Sequence, residues 1–529
     1  MRRRHAEKRP GPLFALATGH AGGSAALRVS LLVAGLLPFT LAQAQNAPAL
    51  RLSPYASAEL TLTDNYNASG AGGAADAVTR LTAGVVARGR TGRIVGFLDY
   101  NLTAALYANH GSNSKFENQL TANLEAEWYE RQGFLTAGAS ISQVARSAFG
   151  AQPTEGGLRS ANSTESRSVR IAPRWQGQVA GLASVNLQAA VSATNANNST
   201  AGDGHSTVLS GRLAALNPAR ITWALDGARE TSDYSLTRST LSTRGYGSVF
   251  ATLSDLDLRL NARLGRERSN YSSITPTEMT TWGMGLEWRP SPRTKLSAQL
   301  EERSFGTTHS VTFEYRTPRT VWQLSESRGI STGATTLGIG QRGLAFDLFF
   351  AQFASIEPDF GRRADLVDAY LKTSGLAPNS IVATTFLRSA TTIDDRQELS
   401  VAWRGPRFTA AMNVARSVAE RLDRALTGQD DLDQASRIRQ TSWTLALSHR
   451  LTSDMTAGLS LTAQRSAGDV LAGSLLPAQR SSQQGLVLRL GGQFSAQDSW
   501  GLAFRHTRFD NNQQPYSANA LVATYGVRF

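Results

Sequence analysis

Cysteine is absent from this 529-residue sequence, and proline is scarce, with 17 residues. Without cysteine the chain can form no disulfide, no cysteine-ligated zinc site, no iron–sulfur cluster and no thiol nucleophile. Histidine is also rare, with seven residues in all. None of the five that follow residue 44 stands at metal-ligand spacing from another. The sequence therefore predicts neither a metal site nor a cofactor.

Long hydrophobic runs are missing as well. After residue 44 no run of about 18 apolar residues occurs, so no membrane-spanning helix is predicted. The formal charge is 54 − 41 = +13 for the whole sequence. Residues 1–44 hold six Lys or Arg and one Glu, a charge of +5, so +8 remains for the rest. This excess is too modest to indicate a nucleic-acid partner.

The first 44 residues have the composition of an export signal. A basic arm is followed by an apolar stretch from Val29 to Leu41 and by Ala42-Gln43-Ala44, a small-x-small cleavage site. A membrane anchor is the alternative, but this stretch is shorter than the roughly 20 residues that a spanning helix needs. We expect residues 1–44 to be a signal peptide and residues 45–529 to form a single domain.

Period-two alternation dominates the remaining chain. From residue 256 to residue 264 every second residue is Leu or Ala, and Asp, Arg and Asn fill the positions between them. Such alternation describes a strand with one apolar and one polar face. Several segments alternate over roughly ten residues, the length of a tilted strand that crosses a bilayer. Because unpaired backbone is excluded from hydrocarbon, such strands span a membrane only as a closed barrel with a polar interior.

Tight turns and long polar connections alternate along the chain, as they do in outer-membrane barrels. The sequence therefore predicts an all-β fold: a transmembrane antiparallel β-barrel of about 24 strands, with 20 to 26 plausible, in the outer membrane of a Gram-negative bacterium. The count of 24 includes a crossing within Thr332–Phe350, where the alternation is weak, and places Asn379 on the periplasmic side.

One segment, residues 358–378, departs from the β pattern. Apolar residues at helical spacing lie between Pro358 and the stop signal Gly375…Pro378. We predict a short helix near residues 359–373, on the periplasmic side of the barrel or as a plug in its mouth. A docking element for a periplasmic partner is the alternative interpretation.

The last ten residues, "ALVATYGVRF", alternate in the same way and end on an aromatic residue. In a barrel the last strand pairs with the first and removes both edges. Tyr525, Val527 and Phe529 resemble the C-terminal signal through which the barrel-assembly machinery recognises its clients. We expect that machinery to be a partner.

Three segments, "RLSPYASAELTLTDNYNAS", "VTRLTAGVVARGRTGRIVGFLDYNLTAALYANH" and "LTANLEAEWYERQGFLTAGASISQ", resemble the β-barrel porins found with exopolysaccharide and PEP-CTERM protein-sorting loci. The later "RTPRTVWQLSESR" and the helical insert fit the same likeness, which covers most of residues 50–529. It implies a role beside exopolysaccharide export or surface-protein display. Membrane lipid, lipopolysaccharide, exopolysaccharide and periplasmic export components are the further partners expected.

Charged residues on the polar faces of the strands are the candidate site. They would tune a pore toward anionic sugars, or they would form lateral ion pairs that satisfy a polar interior. The predicted lumen-lining residues are Arg80, Arg88, Asp99, Glu117, Glu125, Glu127, Arg170, Arg174, Asp257, Arg259 and Arg263.

The sequence is compatible with three functions. The favoured one is a porin-like conduit that works by passive diffusion through a charged lumen. The second is a non-conducting structural or docking barrel for envelope assembly. The third is an outer-membrane phospholipase, because "HGSNS" from His110 to Ser114 looks like the His-x-Ser-Asn-Gly stretch of those enzymes, although Ser114 replaces the final Gly. We predict that the protein is not an enzyme.

Overall fold

The computed structural model describes residues 50–70, 73–152, 160–197, 199–217, 219–235, 239–332, 344–357, 360–374, 386–388, 390–422, 431–470, 477–511 and 514–529. The predicted signal peptide lies outside the described residues and stays a prediction. No helix in these ranges is long and apolar enough to span a membrane.

Twenty-two strands, of 10 to 17 residues each, make up the described fold. The first eleven are β1 Leu50–Thr63, β2 Asp76–Arg90, β3 Ile94–Tyr107, β4 Lys115–Tyr129, β5 Gly133–Ala145, β6 Ser163–Val179, β7 Ala183–Ala196, β8 Ser199–Ala215, β9 Ile221–Tyr234, β10 Thr240–Leu253 and β11 Leu258–Ser269. The other eleven are β12 Thr277–Ser291, β13 Thr294–Arg303, β14 Gly306–Arg316, β15 Thr320–Thr332, β16 Thr391–Arg404, β17 Phe408–Arg421, β18 Ala435–Arg450, β19 Met455–Val470, β20 Arg480–Gln493, β21 Asp498–Asn511 and β22 Tyr516–Arg528.

Each strand pairs antiparallel with its neighbours in the chain, and the sheet closes on itself. β1 pairs with β22 from Tyr55↔Arg528 to Thr63↔Ala520, and the Phe529 amide donates to the Pro54 carbonyl at 3.0 Å. Closure removes both sheet edges, as barrel geometry requires. The alternating terminal strand predicted from the sequence is confirmed as the strand that closes the barrel.

Connections differ at the two ends of the barrel. One end, here called the short-turn end, carries tight connections such as Ala180–Gly181, where φ values of 49° and 68° form the turn that right-twisted hairpins favour. The other end, the long-loop end, carries longer segments such as 64–75 and 108–114. Trp128, Trp223 and Trp322 are exposed on strands near the short turns, in the position expected of an interfacial girdle.

The predicted all-β barrel is confirmed, with 22 strands in place of about 24. No strand stands between β15 and β16, because the two pair directly from Thr320↔Trp403 to Thr332↔Thr391. The crossing predicted within Thr332–Phe350 is wrong where the structure describes it, since Leu344–Gln352 forms helix α1. Helix α2 spans Phe360–Ser374 and confirms the predicted helix near 359–373.

Candidate functional site: a plugged, arginine-lined lumen

Both helices belong to the connection between β15 and β16, which starts and ends at the long-loop end. Their contacts nevertheless lie near the short turns. Helix α1 packs its Phe346, Leu348 and Phe349 against inward side chains near the short-turn ends of the adjoining strands, namely Val321, Ala402, Ala411 and Ala446. The two helices, here called the plug, therefore occupy the lumen from inside.

Apolar contacts hold the plug together. Leu348, Phe349 and Val367 are fully buried, and Phe353 is 3% exposed. The ring of Tyr370 contacts those of Phe349 and Phe353, with centroids 5.1 and 5.4 Å apart. This core inside a polar barrel gives the plug a stabilising free energy that does not depend on charge.

Helix α2 connects two distant parts of the barrel wall. On one face, Arg88 of β2 binds Asp368 at 2.6 Å and Asp365 at 3.4 Å. Two residues beyond Asp368, the Tyr370 hydroxyl lies 2.7 Å from the Thr409 hydroxyl of β17. From β17 to β22 is five steps and from β22 to β2 is two more, so these strands are seven positions apart in the closed sheet. Helix α2 thus lies across the lumen near its short-turn end.

Burial alters the acid–base properties of two groups on α2. It raises the pKa of the Tyr370 hydroxyl above its usual value. The pKa of the Lys372 ammonium is lowered, mainly by burial and to a smaller extent by the nearby charge of Arg528. A cavity of about 590 Å³ lies between the plug and the wall. Lys372 lines it together with Glu59, Arg489 and Arg528. Charged groups therefore line the space between Lys372 and this part of the wall.

A cavity of about 730 Å³ lies in the lumen on the side of β9–β18. Six arginines and three carboxylates line it, a formal charge of 6 − 3 = +3: Arg244, Arg263, Arg303, Arg328, Arg388 and Arg396 with Glu230, Glu301 and Asp394. Residues 386–388 return from the plug to the long-loop end and contribute Phe386 and Arg388 to its lining. The cavity is therefore bounded by both the wall and the β15–β16 connection.

Some of these arginines are neutralised by a carboxylate. Arg303 binds buried Glu267 through two nitrogens at 2.5 and 3.0 Å, and Arg388 binds Asp394 through two at 2.7 Å. Arg263 lies 3.4 Å from Glu301, and its Nε is buried without a hydrogen-bond partner. Arg244 makes no hydrogen bond or ion pair with a described residue. Arg328 and Arg396 also pair with carboxylates, Asp395 at 3.9 Å and Glu398 at 2.9 Å. Among the described residues, Arg244 is therefore the lining guanidinium that can bind an anion without first leaving a carboxylate.

The strand register places the predicted lumen residues on inward faces with one exception. Arg80 binds Glu117 at 3.1 Å, and the Tyr55 hydroxyl donates to Asp99 at 3.1 Å. Asp257 lies in the turn before β11, in a left-handed conformation with φ of 46°, and so does not face the lumen from a strand as predicted. The alternation misleads here because it extends two residues into the turn.

The other predicted lumen-lining residues differ in the groups that they contact. Glu127 accepts a hydrogen bond from the Arg131 amide in the following turn. Arg174 stacks on the Phe134 ring at 4.8 Å and Arg259 on Phe250 at 4.2 Å. Glu125 and Arg170 face inward with exposed side chains and make no ion pair with a described residue. Some lumen arginines therefore form the predicted lateral ion pairs, and others have only aromatic contacts or none among the described residues. Selectivity for anionic sugars stays a prediction.

The "HGSNS" stretch lies in the long loop between β3 and β4. His110 Nδ1 lies 2.8 Å from the Asp76 carboxylate, and the His110 ring stacks on Tyr66 with centroids 4.3 Å apart. Within the described residues no hydrogen bond joins His110 to Ser112. Ser114 accepts from the Tyr107 amide at 3.2 Å. These contacts fix the loop conformation and do not place a base on the serine.

The acidic turn Asp431–Asp433, just before β18, contacts neighbouring parts of the chain. Asp433 pairs with Arg421, Asp431 accepts from the Ala148 amide at 2.6 Å, and Leu432 is fully buried. Among the described residues no group of three or more acidic or histidine side chains is arranged to hold a metal ion.

Helix α1 is the part of the plug that the sequence analysis missed, although the sequence carries a signal for it. Where the wall meets α1, apolar residues occupy consecutive positions: "VW" at 321–322, "VAW" at 401–403, "AAM" at 410–412 and "LAL" at 445–447. In a barrel with lipid outside and water inside, a residue on the inner face that is also apolar indicates an internal packing partner. Val321, Ala402 and Ala411 are such residues, and each is fully buried.

No protein-family model matches the sequence, and no curated protein does either. Solved structures do match. The FrpB iron transporter from Neisseria meningitidis (F5-1 variant, apoprotein form) is 10% identical, with a TM-score of 0.48, over 90% of this chain and 81% of the transporter. OccK2 (OpdF) from Pseudomonas aeruginosa is 11% identical, with a TM-score of 0.28, over 91% of this chain and 98% of that one.

A BenF-like porin from Pseudomonas fluorescens Pf-5 is 7% identical, with a TM-score of 0.29, over 91% of this chain and 99% of the porin. The barrel fold resembles that of Gram-negative outer-membrane porins and receptors. At these scores the likeness concerns architecture alone.

Proposed function

We propose that this protein is a porin-like outer-membrane conduit for acidic saccharides, associated with exopolysaccharide export, in which solutes diffuse passively through the charged lumen. The arginine-lined cavity carries this proposal. Its volume of about 730 Å³ falls within the range of about 300–1,000 Å³ typical of small-molecule sites. Its Arg244, which has no ion-pair partner among the described residues, favours a carboxylated or sulfated sugar over a neutral one.

In this proposal the short-turn end faces the periplasm and the long-loop end faces outward, which is the usual orientation of such barrels. The likeness to barrels of exopolysaccharide loci, found in the sequence, supports the link to export. The plug narrows the periplasmic entrance. On the side of β2 it is held by ion pairs of the partly exposed Arg88 with Asp365 and Asp368, and such pairs break more readily than buried apolar contacts.

A non-conducting docking barrel is the second candidate, and the plug is the observation that favours it. Helix α2 crosses the lumen, is anchored at two distant strands and has an apolar core. A plug held in this way would close the barrel and present the charged short-turn end to a periplasmic partner.

Single-channel conductance of the refolded chain (residues 45–529) in a planar bilayer distinguishes the two candidates. Stable openings that are anion-selective and interrupted by an acidic oligosaccharide, but not by its neutral counterpart, would support the conduit. A barrel that is folded by heat-modifiable gel migration yet silent would support docking. Openings blocked equally by both sugars would contradict the acidic-saccharide assignment.

A further inference from the structure

Arginines occur on the outer face of the barrel as well as in its lumen. The sheet register aligns Arg229, Thr243 and Arg268 as direct neighbours on β9, β10 and β11. It aligns Arg416, Thr441 and Arg465 in the same way on β17, β18 and β19. These two sets, here called the first and second arginine rows, share one composition at separate places on the wall.

Strand parity shows that both rows face away from the lumen. Arg229 lies on the same face of its strand as Leu225, which is 54% exposed. Arg416 lies on the same face as Met412, which is 40% exposed. Arg465 pairs with Thr441 on the neighbouring strand. Thr441 lies on the same strand face as Trp443, which is exposed. Next to the first row, Arg266 has the parity of Leu264, which is 64% exposed. These cations therefore project toward the bilayer side of the wall.

Both rows lie toward the long-loop end. Arg229, Arg416 and Arg465 each stand five residues before the end of their strand, at Tyr234, Arg421 and Val470. An arginine on the lipid face costs about 2–4 kcal/mol at the middle of a bilayer but only about 0–1 near its interface. The rows are thus placed where a headgroup, and not an acyl chain, meets the protein.

Few acidic groups neutralise these side chains. Arg229, Arg266, Arg416 and Arg465 make no hydrogen bond or ion pair with any described residue. Arg268 has one distant partner, Glu278, at 3.8 Å. Neighbouring strands lie about 4.8 Å apart, so the two arginines of a row are about 10 Å apart at the backbone. That spacing lets both side chains converge on one phosphate, the anion that guanidinium binds through paired hydrogen bonds.

The surface below the first row is suited to an acyl chain. A shallow apolar depression of about 600 Å³ runs from Arg229 and Thr243 past Leu209 and Leu187 toward the short turns. Gly227 lies within it, and an added Cβ there would meet no atom within 4 Å. Cationic groups above and an open apolar surface below match an amphiphile that carries phosphate and hydrocarbon.

We propose that the two arginine rows bind the phosphates of a phosphorylated glycolipid of the outer leaflet, of the lipopolysaccharide class. Each row would hold one headgroup phosphate between its arginines, and at the first row an acyl chain would lie along the depression. This inference rests on the outer-membrane placement in the proposed function but not on conduction. A silent barrel would leave it intact.

Native mass spectrometry of the full chain refolded in detergent, titrated with diphosphorylated lipid A, tests the proposal. We expect two retained lipids on the wild type, one on Arg229→Gln with Arg268→Gln, one on Arg416→Gln with Arg465→Gln, and none on the fourfold variant. Loss of two charge-assisted contacts predicts at least a tenfold weaker affinity at each row. Arg229→Lys with Arg268→Lys should restore most of the binding.

Three outcomes would overturn the proposal. The first is a fourfold variant that retains lipid A like the wild type while migrating as a folded barrel. The second is an equal loss of lipid in Arg244→Gln, whose side chain faces the lumen from the same region of β10. The third is equally strong binding of dephosphorylated lipid A or of inorganic phosphate alone, which would assign the rows to a different ligand.

Discussion

Arg88 of β2 and Asp368 of α2 are 280 positions apart in the chain, yet their Nη2 and Oδ2 atoms lie 2.6 Å apart in the lumen. Asp365, one turn earlier on the helix, accepts from the same guanidinium at 3.4 Å. This contact is the polar half of the plug's attachment, and the apolar cluster around Phe349 is the other half. The two halves differ in strength, and that difference can be measured.

Replacing Arg88 with Ala should loosen the plug without releasing it. The guanidinium is 38% exposed, and such partly solvated pairs contribute about 0–1 kcal/mol. We expect up to about a fivefold rise in the frequency of channel openings and faster hydrogen exchange in α2. Arg80→Ala is the matched control, since Arg80 faces inward from the same strand but binds Glu117 on β4. Unchanged exchange in Arg88→Ala would show that the contact does not hold α2.

Replacing Phe349 with Ala should have a larger effect on the plug. Truncation of a fully buried phenylalanine costs about 3–5 kcal/mol, more than the ion pair provides. We expect larger and noisier conductance and tryptic cleavage after Arg362. Heat-modifiable migration should persist because the strand ladder is unchanged. Leu366→Ala, at a position 37% exposed, is the control, and resistance of both variants to trypsin would argue against a separable plug.

Reversing a lumen charge should change ion selectivity. Arg244 has no ion-pair partner among the described residues, so Arg244→Glu alters the cavity without breaking a contact. A unit charge acts on a permeant ion at 4 Å in water with about 1 kcal/mol, so the anion-to-cation permeability ratio should fall several-fold. Arg229→Glu carries the same charge change on the outer face and should leave that ratio unaltered. Equal reversal potentials in all three proteins would exclude the arginine-lined cavity from the ion path.

Alternation predicted the barrel well because each spanning strand has lipid on one side and water on the other, which leaves a period of two in the sequence. It failed where the environment on the inner side changes. Helix α1, with the sequence LAFDLFFAQ, is apolar at nearly every position, so no hydrophobic periodicity marks the face on which Ala345, Phe346, Leu348 and Phe349 are buried. The partners of Arg88 could not be predicted either, because a chain that returns into its own barrel brings together residues whose spacing in sequence carries no information.

Tyr271, in the loop between β11 and β12, should give the long-loop end a pH dependence. Burial raises the pKa of its hydroxyl from about 10 to about 12, and its ring packs edge-on against Phe305 with centroids 5.8 Å apart. A raised pKa means that its contribution to stability is complete below pH 10 and is lost as the pH rises through about 12. The absorbance difference at 295 nm between wild type and Tyr271→Phe should therefore titrate near 12. A midpoint near 10 would show that the loop leaves this tyrosine in water.

Gly84 on β2 should tolerate no side chain, because Tyr55 from the neighbouring strand lies across it. A Cβ at residue 84 would stand 2.4 Å from Tyr55 Cζ, and Tyr55 in turn donates to Asp99 on β3. Gly84→Val should displace the ring, break that hydrogen bond and destabilise the barrel by about 1–3 kcal/mol. Gly227→Val is the control, since its added carbon enters open space. Urea unfolding followed by tryptophan fluorescence compares the two, and equal midpoints would mean that Tyr55 has room to move aside at no cost.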